Sequence, residues 1–166
     1  METLIKVMEK VIFILASAAM AAIVLVVFAN VFMRYVLNTG LTWSDEVSVD
    51  LFVWFIFLGG ILAALDGLHL KVDVLTNRLS PKLQRLFAFI AECFTLASMA
   101  ILFIGGLAQV DVTSKNISAA TGLPSSYITI SMVIFAGAVI ILTIYNILHI
   151  IQGKELVGQR KEAEQK

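Results

Sequence analysis

The side chains able to do chemistry are few and scattered: a carboxylate deep in an apolar run (Glu92), an asparagine and arginine one turn apart (Asn30, Arg34), three acids close together (Asp45, Glu46, Asp50), two histidines (His69, His149) and one cysteine (Cys93). Glu92 is the sharpest of these. An ionised carboxylate at mid-membrane costs about 2.5 to 3.5 kcal/mol even on the mild insertion scale, so it must be paired, neutral, or turned toward a partner or cavity. One chemistry it could serve is proton or ion coupling. The other is an interhelical hydrogen bond, to Asn30, to Thr95 of a neighbour or to a partner subunit. No second acid lies within an apolar run to form a relay, which favours the hydrogen bond. Arg34 belongs near the end of a first span, close to Asp45, Glu46 or Asp50, where it is expected to lock a hairpin through Asp45 or Glu46. His69 and His149 lack a local ligand cluster, and haem ligation would need histidines facing each other inside a bundle. No metal, cofactor, catalytic group or bound substrate is therefore expected in this chain. Cys93 cannot form an intrachain disulfide and is expected to be a small buried hydrophobe.

These residues sit in a chain that is 60% hydrophobic and only 14% charged, with a mean hydropathy of +0.95. Soluble domains are nearer half apolar and a quarter charged. The composition is that of an integral membrane protein. With 166 residues there is room for four spans and short connections, and the formal charge of zero argues against nucleic acid as a partner.

The stretch Leu41 to Leu65 organises the rest. Asp45, Glu46 and Asp50 precede fifteen residues, Leu51 to Leu65, that are all apolar or glycine. Thr42 or Ser44 is placed to cap a helix here, and the acids suit its positive end. At 1.5 Å per residue a helix over 42–65 is about 36 Å long, enough to cross a hydrocarbon core of about 30 Å. Trp43, Val47, Asp50 and Trp54 share one face of it, read as a surface that meets protein. Gly59 and Gly60 are expected to allow close helix approach. The full reading is an all-α membrane protein with spans at about 11–36, 42–65, 81–110 and 127–151, a single membrane domain, and a polar tail over 152–166. The first apolar run is longer than a signal-peptide core, so it is taken as an uncleaved span. Gly40 is the expected left-handed residue of the first turn. Residues 66–80 are expected to lie at the interface as an amphipathic segment, and Ser80 with Pro81 to open the third helix. Thr121, Gly122, Leu123 and Pro124 read as an ordered turn into the fourth, with Tyr127 as an interfacial aromatic.

Orientation follows from the basic residues. Lys6, Lys10, Lys71, Arg78, Lys82, Arg85, Lys154, Arg160, Lys161 and Lys166 fall on one side, and Arg34 and Lys115 on the other. Both termini and the middle loop are expected to be cytoplasmic. No span is interrupted by glycine and proline together, and no polar cluster is large enough to hold a solute, so this chain is not expected to transport alone. The competing reading is a self-sufficient homodimeric exporter coupled to protons through Glu92. A haem or quinone anchor is disfavoured by the histidine placement.

Asn30 with Arg34-Tyr35, then Trp43-Ser44-Asp45-Glu46, Phe52, Trp54, Phe57-Leu58-Gly59, His69 and Asp73, and finally Gly122, Pro124 and Tyr127 resemble the small membrane subunit of tripartite ATP-independent periplasmic (TRAP) transporters, the DctQ type. The resemblance runs through nearly the whole chain in order and spacing. Asp45-Glu46 stands where the family commonly has two glutamates, and Leu79-Ser80-Pro81 where it often has Leu-Pro. What the resemblance implies is a non-catalytic scaffold in the bacterial inner membrane. Its partners would be a large polytopic subunit holding the sodium and substrate sites, a periplasmic substrate-binding protein, and lipids. The solute would be an organic acid such as a C4-dicarboxylate or sialic acid. On the same basis Arg34, Trp43, Asp45, Glu46 and Asp50 would shape the outward surface, and His69 and Asp73 the cytoplasmic connection.

Overall fold

A computed structural model describes residues 2–65 and 81–151, and the architecture is all helical. Helix α1 runs Glu2–Val36, α2 Ser44–Leu65, α3 Pro81–Thr113 and α4 Ser126–Ile151. Each contains a stretch long and apolar enough to cross a membrane: Lys6–Val36, Ser44–Leu65, Arg85–Thr113 and Ser126–Ile151. The expected four-span architecture is therefore present. The chain is a multi-pass membrane protein. The interfacial segment, Ser80, His69, Asp73 and the tail lie outside the described residues, while α3 begins at Pro81, where proline's fixed φ is compatible with a helix start.

The four helices form two hairpins. Helix α1 packs on α2, α3 packs on α4, and the hairpins meet where α2 lies against α4. Most buried positions are small or polar, Ala16, Ala136, Ser44, Asp50, Glu92, Ser126, Ser131 and Thr143, with the aliphatic Ile61, Leu65 and Val139 among them. Large apolar side chains such as Phe13, Leu25, Phe28, Phe94, Ile101 and Ile141 point outward. Lipid is as apolar as leucine, so packing selects small residues and hydrogen bonds for the joints and leaves bulky hydrophobes outside. Cys93, small as it is, is exposed on α3, contrary to the buried position expected for it.

The joint between the hairpins depends on one glycine of the expected pair. A Cβ at Gly60 would lie 2.7 Å from Cε2 of Phe135, whereas one at Gly59 would meet nothing within 4 Å. The Phe135 ring fills the gap at Gly60 and packs 5.4 Å, centroid to centroid, from Phe57. Within the second hairpin Gly106 has the same function, since a Cβ there would lie 2.8 Å from Cγ2 of Val133.

Both turns at the far end are ordered. After α1 the left-handed residue is Asn38, at φ 52°, and not Gly40. Asparagine tolerates this region because its short polar side chain can bond locally, and Thr39 N–H folds back to the Met33 carbonyl at 3.2 Å. Helix α2 then begins without the expected cap. The Ser44 hydroxyl donates backward to the Leu41 carbonyl at 2.8 Å, and the Trp43 carbonyl receives Val47 N–H at 3.0 Å. The connection over 114–125 is closed as its composition predicts. Gly122 adopts φ 70°, Ser118 N–H donates to Leu123 O at 2.9 Å, and Ser125 N–H to Asn116 O at 2.9 Å.

Candidate functional site

The polar side chains concentrate at the end of the bundle formed by the 37–43 turn, the start of α2 and the 114–125 connection. Asn30, half-buried nearly two turns before the end of α1, fixes the first hairpin. Its Oδ1 accepts Leu41 N–H at 2.9 Å, and its Nδ2 reaches Asp45 Oδ1 at 3.5 Å. Leu41 N–H lies in a turn and has no helical partner, so the Asn30 oxygen fills a real vacancy in the backbone. Arg34 does not take the locking role expected of it. It is exposed, and among the described residues it forms no ion pair with Asp45, Glu46 or Asp50. The chain leaves α1, turns and descends, so the first turn of α2 returns to the level of Asn30 rather than that of Arg34.

Two of the three acids turn inward. Glu46 Oε2 accepts the Ser118 hydroxyl at 2.5 Å, which joins α2 to a connection 72 residues away in sequence. The same Ser118 Oγ accepts N–H from Ala120 and Thr121, both at 3.1 Å, so Glu46 holds a turn that is itself internally bonded. One turn deeper, Asp50 is 6% exposed and accepts the hydroxyl of Tyr127, at the start of α4. Tyr127, expected as an interfacial aromatic, is thus a strut between the hairpins. The face expected to present Trp43, Val47, Asp50 and Trp54 together is divided. Asp50 points into the bundle, Val47 and Trp54 are half-buried, and Trp43 and Asp45 remain exposed.

The second polar site lies between α3 and α4. Glu92 is 1% exposed and accepts Asn146 Nδ2–H at 2.9 Å. Neither Asn30 nor Thr95, the partners expected for Glu92, takes that place. Asn146 itself was missed, although a signal exists. Glu92 lies twenty-one residues before the end of α3 and Asn146 twenty after the start of α4, so an antiparallel pair places them at one level. One turn further along α4, His149 stacks on Tyr145 with ring centroids 4.3 Å apart. Among the described residues no group of His, Cys, Asp and Glu side chains could hold a metal ion.

What this arrangement can do is mechanical. Each acid that the bundle buries spans two elements of the same chain, which makes the acids struts. Residues 23–153 match the family described as tripartite ATP-independent periplasmic transporters, DctQ component. A Haemophilus influenzae protein named as a TRAP transporter small permease is 33% identical over 124 residues, covering 75% of this chain and 77% of the relative. A second Haemophilus influenzae protein of the same name is 28% identical over 143 residues, 86% of this chain and 87% of the relative. The C4-dicarboxylate TRAP transporter small permease DctQ of Vibrio cholerae is 37% identical over 86 residues, which span 52% of this chain and 37% of that longer protein.

Proposed function

We propose, from the premise that this chain belongs to the DctQ family of TRAP transporter small permease components, that it is the non-catalytic scaffold of a sodium-coupled importer of organic acids. In this reading a large polytopic subunit carries the solute and sodium sites and moves, while the present chain holds that subunit in place in the inner membrane. Its termini face the cytoplasm. The exposed end with Trp43, Asp45 and Arg34 contributes to the surface on which a periplasmic substrate-binding protein docks. Solutes are carboxylates, C4-dicarboxylates and sialic acid among them, and sodium binds in the large subunit.

The observation that carries this reading is where the inward-turned acids go. Asp50 to Tyr127, Glu46 to Ser118 and Glu92 to Asn146 each connect two parts of this chain. A transport site needs polar groups that exchange partners as the solute enters and leaves. A scaffold needs polar groups fixed to one another. The exporter reading asks Glu92 to face a solute, and the carboxylate is instead enclosed between α3 and α4.

Purification of the tagged chain from its native membranes in mild detergent tests the partnership. The expected result is a stoichiometric companion of about ten or more spans, identified by mass spectrometry, since a bundle this small leaves most of its apolar surface for lipid or protein. A homodimer with no companion would defeat the scaffold reading and revive the exporter.

A further inference from the structure

The Glu92 and Asn146 pair leaves one atom unaccounted for. Asn146 Nδ2 donates to Glu92 Oε1 at 2.9 Å, yet Asn146 Oδ1 is buried without any hydrogen-bond partner. Buried carbonyl oxygens of this kind are nearly always bonded. Exchanging the amide nitrogen and oxygen offers no escape. It would set the Asn146 oxygen 2.9 Å from a carboxylate oxygen, a contact between two acceptors. A hydrogen on the Glu92 carboxyl would supply a donor in either orientation.

Charge points the same way. No positively charged side chain pairs with Glu92 among the described residues. On its own helix Arg85 lies two turns away and is exposed, while α4 offers Thr143, Tyr145, Asn146 and His149, of which Tyr145 and His149 stack on each other. Helix α2 carries its acids at the opposite end, with Asp50 the deepest. A carboxylate enclosed at a span with no cation beside it is strongly disfavoured, whereas the neutral acid is both donor and acceptor.

We propose that Glu92 and Asn146 form a proton-binding site: Glu92 keeps a hydrogen on Oε2 at neutral pH and donates it to Asn146 Oδ1, while Asn146 Nδ2 donates to Glu92 Oε1. The site takes one proton from water and converts a carboxylate into a carboxylic acid, with no other bond made or broken. The result is a closed acid–amide pair that is uncharged and fully bonded. It makes Glu92 a permanent proton holder and not a carrier that cycles with transport. This does not depend on the scaffold reading, because it concerns only the joint between α3 and α4.

Infrared spectroscopy of the purified full chain at neutral pH tests it. The expected spectrum contains a carbonyl band of a protonated, hydrogen-bonded carboxylic acid that Glu92→Gln removes, and that Asn146→Leu shifts to the position of a less strongly bonded acid. Glutamine can donate and accept in the same geometry, so Glu92→Gln should also melt as the parent does. A neutral-pH spectrum in which Glu92→Gln changes only carboxylate bands would overturn the proposal. If that variant does not fold, a band unmoved by Asn146→Leu would overturn it equally.

Discussion

Gly60→Leu is expected to destabilise the protein by about 3 kcal/mol, the upper part of the range for overpacked joints, and to reduce recovery of the intact bundle from membranes. The Cβ alone would stand 2.7 Å from the Phe135 ring. That ring is held between Gly60 and Phe57, whose centroid is 5.4 Å away, so it has little freedom to move aside. The added side chain must push α2 from α4, which is the contact that makes two hairpins into one bundle. Gly59→Leu supplies the control, because a Cβ there meets nothing within 4 Å. Thermal melting of the two variants in the same detergent checks the contrast. Equal losses at both positions would show that the glycines matter for helix propensity and not for the joint.

Tyr127→Phe and Asp50→Ala come next in size. Each leaves one partner of a buried hydrogen bond unsatisfied, at a cost of about 1 to 3 kcal/mol, with the larger value expected when the carboxylate is the group left alone. Asp50 is buried, and the Tyr127 hydroxyl is its partner on the neighbouring hairpin. The double variant Asp50→Ala, Tyr127→Phe should cost clearly less than the two singles added together. Strict additivity, measured by melting or by chemical unfolding in mixed detergent, would mean that the pair contributes no coupling.

Much of the fold is legible in the residues because span length and apolar content are one-dimensional signals. Leu51 to Leu65 has no polar side chain at all, and the turn at Gly122 and Pro124 carries its own chemistry. What could not be read is which way each side chain faces. In a soluble helix the apolar stripe marks the core, but in lipid both faces are apolar and the pattern loses its meaning. Hydrophobicity alone puts Cys93 inside, yet it lies outside; helical spacing puts Trp43 and Asp50 on one surface, yet burial separates them. Arg34 illustrates a different limit. Opposite charges near one another in sequence suggest an ion pair, yet the register of a hairpin depends on the exact path of a seven-residue turn, and Asn30 occupies the level where Arg34 was expected. Asn38 took the left-handed position from Gly40 because a turn requires one such residue at a set distance from the helix end, and distance outranked residue type. Glu92 was legible as a buried polar group, and only the pairing of α3 with α4 identifies Asn146.

The struts also explain an economy in the design. Interhelical hydrogen bonds within membranes are individually worth about 0.6 kcal/mol on average, so stiffness needs several of them placed apart. Here Asn30, Glu46 and Asp50 work at one end, and Glu92 with Asn146 nearer the other. Gly60 and Phe135 pack between them.

The most direct test of the scaffold account is uptake of a labelled carboxylate into proteoliposomes, driven by a sodium gradient and supplied with the cognate binding protein. Three preparations are compared: this chain alone, its large companion alone, and the two together. The account predicts no uptake by this chain alone, sodium-dependent uptake by the pair, and loss of that uptake when Gly60→Leu replaces the parent. Uptake by this chain alone, abolished by a substitution at Glu92 that leaves the fold intact, would contradict it.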